Sequence, residues 1–334
     1  MTSTAALPSG SSLRVTLFTA PKPFVGPIDV IQRNALGSWR ELGEAVEVLV
    51  IGDEPGTAKA AQAVGVRHVP EVRRSAEGTP LLSSIFEAAD REASFPILAY
   101  LNADIVLLDD FLPALDQVAG RMAKFLIVGQ RWNLDVPEPI RFAPGWRQVI
   151  RGRLKAEGRL HPPTGSDYFV FPKGEFSHLP DFALGRSGWD NWMVFDARRR
   201  GLPVVDVTGV VRVVHQNHDY AHLPGSRPHH GQVESRRNVA LAGGREAMFR
   251  LRDADWKLVR RGPVRKSWSE RGFLRMLEAD TIARIGPGKG AQITRMMFHP
   301  VHTLGYFVSR GLRSLRRLDR PEAGRTRPTE EGES

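Results

Sequence analysis

The strongest constraint on this chain lies between residues 13 and 111, where short apolar runs alternate with segments of helical period. LRVTLFTAPKPF begins as a β-branched run and stops at Pro21 and Pro23, the pattern of a strand entering a loop. PIDVIQRNALGSWREL then spaces Ile28, Ile31, Ala35, Leu36 and Trp39 as one face of a helix. AVEVLVIGDEPG is a second buried strand ending in Gly52-Asp53-Glu54. GTAKAAQAVG is helical and VRHVPEV a short strand; TPLLSSIFEAADRE predicts a helix capped by Thr79, with Pro80 at its first position. PILAYLNADIVLLDDF closes the series with two apolar runs separated by Asn102-Ala103-Asp104. Strands alternating with helices imply βαβ units, hence an α/β fold with a mainly parallel sheet flanked by helices.

In such sheets ligands bind where loops leave the carboxyl ends of the strands. Asp53, Asp104 and the Thr19-Ala20-Pro21 turn are therefore expected at one common edge. Carboxylates are rarely buried unless paired or bound to a cation, so Asp104, set between two buried runs, needs a partner. Capping of the helix begun by LDDFLPAL falls better to Asp109 and Asp110, whereas Asp53 has helix capping as its structural alternative. No strand is followed by a GxGxxG or P-loop pattern, which argues against a dinucleotide dehydrogenase or a P-loop NTPase.

In the second half GSDYFVFPKGEF suggests a polar turn, an alternating strand and a turn. A helix beginning near Gly188 would carry Trp189, Trp192, Met193 and Ala197 on one stripe, with Asp190 in the first turn, where the helix dipole favours a carboxylate. LPVVDVTGVVRVVHQNHDYAH is expected to be a strand pair ending in His215, Asn217, His218, Asp219 and His222, a dense set of ligand types.

The chain has 334 residues, 41% hydrophobic and 25% charged, enough for one large domain or a domain with an extension. Absence of cysteine excludes disulfides, thiolate metal sites and cysteine nucleophiles. The formal charge of +10 is concentrated after residue 220, which suggests that this part meets phosphates or an anionic membrane. MTSTAALPSGSS does not resemble a secretory signal, and no apolar run is long enough to span a bilayer, so a cytoplasmic location is expected.

Taken in order, Asp53, Asn102-Ala103-Asp104, Gly165-Ser166-Asp167, Trp189-Asp190-Asn191-Trp192 and His215-Gln216-Asn217-His218-Asp219-Tyr220 resemble the nucleotide-sugar glycosyltransferases of the GT-A class. The likeness is to the family-2-like group with WDNW and HQNHDY segments, and it covers about residues 13–225. It implies transfer of a sugar from a nucleotide diphosphate sugar to a hydroxyl acceptor that is a glycan, a lipid-linked molecule or a small molecule. It further implies that Asp104 holds Mg²⁺ or Mn²⁺ and that Asn102 bonds the ribose or a metal-bound water. His215 would complete the metal site; imidazole suits Mn²⁺ better than Mg²⁺. Asp53 would accept from the base edge, and Thr19, Ala20 and Pro21 would line the base or ribose. Asp190 would be the general base of an inverting displacement. Asp167, Trp189 and Trp192 would shape the acceptor side. In the class's usual metal motif an Asp stands where this chain has Asn102, which bears on metal dependence.

Structural alternatives stand beside these roles: a first-turn charge for Asp190, core positions for both tryptophans, a satisfied core group for His215, and supporting roles for His218 and His222. His229-His230 is expected in a solvent-exposed loop. HHGQVESRRNVALAGG resembles the segment that folds over the donor, with Arg236, Arg237 and Asn238 reaching phosphates. Met248, Leu251, Trp256 and Val259 suggest one short helix. Residues 290–320 combine apolar residues with arginines in a pattern that suits either a basic amphipathic helix at the inner face of a membrane or a helix packed on the catalytic domain. The expected organisation is a disordered tail over 1–12, a catalytic domain over 13–225, a basic, mainly helical extension over 226–320 and a disordered tail over 321–334. A nucleotidyltransferase is the nearest alternative, although APKPFVGP supplies only Lys22 where that chemistry needs a Gly-rich basic loop. A nucleic-acid-binding protein is the third, and the chain shows no recognition module for it.

Overall fold

A computed structural model describes residues 13–218 and 233–299. The first half follows the βαβ rhythm: β1 (Val15–Thr19), α1 (Gly26–Arg40), β2 (Val46–Ile51), α2 (Thr57–Val64), β3 (Arg67–Val69), α3 (Leu82–Glu92), β4 (Ile97–Leu101), β5 (Ile105–Val106) and α4 (Phe111–Ala119). It continues through β6 (Leu126–Val128), β7 (Arg131–Leu134), α5 (Trp146–Glu157), β8 (Arg159–Leu160), β9 (Tyr168–Pro172), α6 (Trp189–Arg199), β10 (Val204–Asp206) and β11 (Val213–Gln216). After the undescribed 219–232 come α7 (Val233–Leu241), β12 (Trp256–Val259), β13 (Gly262–Arg265), α8 (Trp268–Arg271), α9 (Phe273–Ile285) and α10 (Lys289–Phe298).

A nine-stranded sheet has the order β13-β12-β10-β6-β9-β4-β1-β2-β3. It is mainly parallel; β9 runs against both β4 and β6, and β13 against β12. Successive side chains of a strand point to opposite faces, and β1 divides accordingly. Phe18 enters the core under α3 and α6, while Val15 and Leu17 enter the core under α1 and α4. This two-sided burial explains why the strands are apolar runs rather than alternating ones, and it holds for β9 too, which sits mid-sheet and is not half-exposed as its alternation suggested.

A smaller sheet, β5-β11-β7-β8, stands at the carboxyl edge of the large one. The expected pairing of β10 with β11 is therefore corrected: β10 joins the large sheet and β11 the small one. Thr79 does not cap α3. Residues preceding proline avoid helical backbone, and the chain here is extended, with bridges from Pro80 to Arg74 and from Leu81 to Ala183, so the helix starts at Leu82.

The region after residue 232 is basic and carries helices, but it is not a separate body. The helix expected over Met248 to Val259 is replaced by short 3-10 turns and by β12, because Trp256 and Leu258 alternate into the large-sheet core. β12 pairs with β10, and Ala279, Ile282 and Ala291 enter the same core as Trp189, so no boundary near 225 divides sheet or core. Of the 290–320 stretch only residues through His299 are described, with Ile293 and Met297 exposed on α10. Both tails, together with Asp219, Tyr220, His222 and His229-His230, lie outside the described residues. Among the described residues no helix is long and apolar enough to cross a membrane.

Candidate metal and transfer site

Parallel pairing brings the carboxyl ends of β1, β2 and β4 to one edge, and the antiparallel β9 starts there. Leu101 pairs with Tyr168, so the next residues out, Asn102 and Asp167, meet above the sheet. The Asn102 amide N–H donates to the main-chain carbonyl of Asp167 at 2.9 Å, and Asn102 Nδ2 donates to Asp167 Oδ1 at 2.8 Å. Tyr100 donates its hydroxyl to Asn102 Oδ1 at 3.2 Å, and the Arg131 guanidinium pairs with Asp167. Asn102, where an aspartate would add a second carboxylate to the edge, is thus the link that joins β4 to β9.

Asp104 turns towards the small sheet. His215 Nε2 stands 3.5 Å and His218 Nε2 3.2 Å from Asp104 Oδ2, and one ligand atom from each of the three residues fits within a 4.8 Å cluster. Two ligands each about 2.1 Å from a shared cation, 90–110° apart, stand about 3.0–3.4 Å from one another. The 3.2 Å separation, which is also that of a hydrogen bond, falls in this range and the 3.5 Å one lies just outside it. Asp104 Oδ1 is buried without a hydrogen-bond partner among the described residues, which leaves lone pairs for an ion. Burial alone would raise the Asp104 carboxyl, but His215 and His218 outweigh it and hold it well below the usual carboxylate range.

Gln216, the neighbour of His215 on β11, points the other way. Its Nε2 donates to the carbonyls of Ile31 (2.8 Å) and Asp104 (3.1 Å), and its Oε1 accepts from Asn34 Nδ2 at 3.0 Å. Alternation along β11 therefore aims His215 at Asp104 while Gln216 locks the Asp104 loop onto α1.

Lys22 approaches from the β1 exit, where Gln32 fixes its backbone through two hydrogen bonds. Burial lowers the Lys22 ammonium, against the attraction of Asp104, which places a cation beside the candidate ligands. Thr19 is buried with an unpaired hydroxyl, Pro21 is buried and Ala20 half-buried, so this turn does reach the expected edge. Asp190, in the first turn of α6, is pushed up to about 6, first by burial and then by the neighbouring Asp167 charge, against backbone N–H groups that favour its ionised form. A Cβ on Gly165 would lie 2.7 Å from Asp190 Oδ2, so the GSD turn runs directly against that carboxylate.

Other expected residues fall elsewhere. Asp53 is exposed and paired with Arg74, which also holds Glu54. Asp167, Trp189 and Trp192 are buried, so the acceptor wall expected from them lies one layer beneath the surface. Trp189 packs edge-on against Tyr100 and supports Asn102 from below; Trp192 packs on Phe182. Asn238 is buried between its bonds to the backbone of Ala183 and cannot reach a phosphate; Arg236 and Arg237 are exposed, the latter near Glu77. Sequence reasoning missed Arg131, Asn133 and His161, which reach the site from the small sheet, and undervalued His218. The signal for the last was its place in the His/Asn/Asp cluster that follows the β run.

No family model matches the chain, and no curated protein matches it. Among solved structures it is similar to glucosyl-3-phosphoglycerate synthase of Mycobacterium tuberculosis, at 18% identity and a TM-score of 0.45, over 69% of this chain and 79% of that one. The same enzyme in complex with Mn²⁺, UDP and phosphoglyceric acid matches at 17% identity and a TM-score of 0.45, over 70% of this chain and 80% of that one. A complex of it with Mn²⁺, UDP-glucose and phosphoglyceric acid matches at 18% identity and a TM-score of 0.43, over 70% and 81%.

Proposed function

We infer that this chain is a metal-assisted glycosyltransferase of the GT-A type, moving a sugar from a nucleotide diphosphate sugar to a hydroxyl acceptor. The observation that carries this reading is the convergence of Asp104, His215 and His218 at the carboxyl edge of the sheet, beside Lys22. The three residues would hold a divalent cation, Mn²⁺ for preference because imidazole is a borderline ligand. When bound, the ion supplies Lewis-acid neutralisation of the departing diphosphate. Lys22 adds positive charge on the same side, and the Thr19 hydroxyl and Pro21 border the nucleotide. Asp53 lies farther out, where it accepts from the base edge, and Arg236 on α7 contacts phosphate.

In the transfer itself the acceptor oxygen forms a bond to the anomeric carbon as the bond from that carbon to the diphosphate oxygen breaks. The acceptor's proton passes to Asp190, whose raised affinity for a proton suits a base working near neutrality. A base on the face opposite the leaving group gives inversion. Asn102, Arg131 and Asp167 hold the strand ends on which these groups sit.

The test is thermal stabilisation of the purified chain by UDP, GDP, CDP, dTDP and ADP, each with and without Mn²⁺, repeated on Asp104→Ala. A ligand that binds only the folded state raises Tm by mass action. One diphosphate is expected to stabilise the wild type only with Mn²⁺ and to have no effect on the variant. Stabilisation by none of the five, or equal stabilisation of the variant, overturns the reading.

A further inference from the structure

A surface helix ordinarily carries one apolar stripe, the one turned to the core. α9 carries two. Ala279, Ile282 and Ala283 are buried in the core that also holds Trp189, whereas Leu274, Leu277 and Ile285 are exposed on the opposite side of the same helix. Gly286-Pro287-Gly288 then turns the chain, and α10 folds back along α9, with His299 Nε2 3.1 Å from Glu278 Oε2. α10 repeats the pattern: Ala291 enters the shared core and Thr294 is buried, while Ile293, Met296 and Met297 are exposed on the other side. Because both helices rest on one core, both outer stripes point away from it and form a single face. Isolated apolar side chains are ordinary on a surface, but these six are nearly half of the thirteen exposed large ones among the described residues, so they make a patch.

The charges of this helical hairpin are equally one-sided. Its two carboxylates are neutralised: Glu278 is buried against Arg275, and Asp280 is held by Arg198 and Arg271. Its exposed lysine and arginine side chains are Arg284, Lys289 and Arg295. Residues 300–320, which follow in the chain, add five arginines against one aspartate. A cover for this face must therefore be apolar and anionic at once. That counts against a second copy in a two-fold contact, which would set the same cations against one another, and against residues 300–320 lying on the face, for the same reason. We propose that the outer face of α9 and α10 docks on an anionic phospholipid surface. The apolar side chains enter the boundary between headgroups and acyl chains, and Arg284, Lys289 and Arg295 meet lipid phosphates beside them. The surface starts at Leu274, well ahead of the 290–320 stretch whose composition suited a membrane, and it lies on the bilayer without spanning it. It is independent of the transfer reading above.

Cosedimentation of the full chain with vesicles tests it, one set of phosphatidylcholine alone and one with about a third of the lipid replaced by phosphatidylglycerol. The wild type is expected to bind the anionic set at least about tenfold more tightly than the neutral one, and less tightly as salt is raised. Leu274→Gln combined with Ile293→Gln and Met297→Gln, at positions 65%, 58% and 74% exposed, should weaken that binding by more than about tenfold and leave Tm unchanged. Arg284→Gln combined with Lys289→Gln should weaken it about 25-fold, roughly fivefold for each cation, with the apolar stripes intact. The second variant keeps the test decisive if the first one melts early. No binding to the anionic set, equal binding to both sets, or variants that bind as the wild type does would overturn the proposal, the last by moving attachment to residues 300–320. A wild type that sediments as a dimer and a triple variant that sediments as a monomer, neither binding vesicles, would overturn it in favour of a contact between two copies.

Discussion

The exits of β2 and β4 begin from the same sequence logic and end in different chemistry. Each runs parallel to β1, is buried over its last four residues and leaves the sheet at the same edge with an aspartate within three residues. At the β2 exit Asp53 reaches solvent and finds Arg74. The Arg74 hydrogen bond holds its carboxyl below the usual range without enclosing it. At the β4 exit the chain re-enters as β5 after only three residues, and β11 arrives from far along the sequence to lay His215 and His218 over Asp104. A strand end offers a carboxylate; what packs over it decides whether that carboxylate is a surface charge or a ligand.

The largest effect should separate the two exits outright. Asp104→Ala removes the proposed central ligand, and losing a group that merely orients a metal ligand commonly lowers metal affinity 10–100-fold. Mn²⁺ affinity is therefore expected to fall by more than about 100-fold, read by calorimetric titration with Mn²⁺ on each variant. An Asp104→Ala protein that binds Mn²⁺ as the wild type does would erase the distinction between the exits.

Next comes the group that works beside the β4 exit. Asp190→Asn should lower turnover by roughly 10²–10⁴-fold once a donor and acceptor are in hand. In the wild type kcat should climb about tenfold per pH unit below about 6 and flatten above it, as the base deprotonates. Stability moves the other way. The folded-state pKa is raised above the unfolded value, so the neutral form stabilises the fold fully below about 4, and that contribution is lost as pH rises through about 6. Asp190→Asn should consequently melt higher than wild type at pH 7.5 and equal to it at pH 4; a variant less stable at both would contradict the burial of that carboxylate.

Gln216 is the strut that the β2 exit lacks. Gln216→Leu leaves the Ile31 carbonyl and Asn34 Nδ2 short of a partner, at about 1–3 kcal/mol. Asp104 loses one of two bonds to its carbonyl, since the Gln216 amide still donates there. Denaturant unfolding should show that loss of stability, accompanied by about tenfold weaker Mn²⁺ binding. Unchanged Mn²⁺ affinity would mean that the turn from Asn102 to Ile105 holds its own shape and that the strut serves stability alone.

These same residues show what the sequence could and could not disclose. Apolar runs separated by helical periods made the parallel sheet and its functional edge legible, because burial on both faces leaves a one-dimensional signature. The presence of Asp104 at that edge was legible for the same reason. Its partnership with His218 was not, since β11 meets β5 only through long-range pairing, and a histidine in a loop looks alike whether it supports or ligates. Arg131 and Asn133 gave no signal either, as their strand is short and its role depends on register. The β12 hairpin was misjudged because Trp256 and Val259 stand one helical turn apart, whereas Trp256 and Leu258, two residues apart, share a strand face, and only the open flank of β10 chose between the two periods.

The smallest effect belongs to Asp53, and it is the sharpest check on the whole contrast. Asp53→Ala removes one exposed partner of Arg74, which keeps Glu54, so Tm should not change measurably. If Asp53 accepts from the base, donor binding should weaken by less than about tenfold, the scale of one solvent-accessible hydrogen bond. That loss should differ between UDP and CDP, whose bases present a donor and an acceptor, respectively, at the ring position where a carboxylate would meet them. A uniform small loss would leave Asp53 as a surface charge that tunes approach. A loss of more than about 100-fold would place Asp53 on the same footing as Asp104, and the two exits would then be halves of a single donor site rather than a ligand and a bystander.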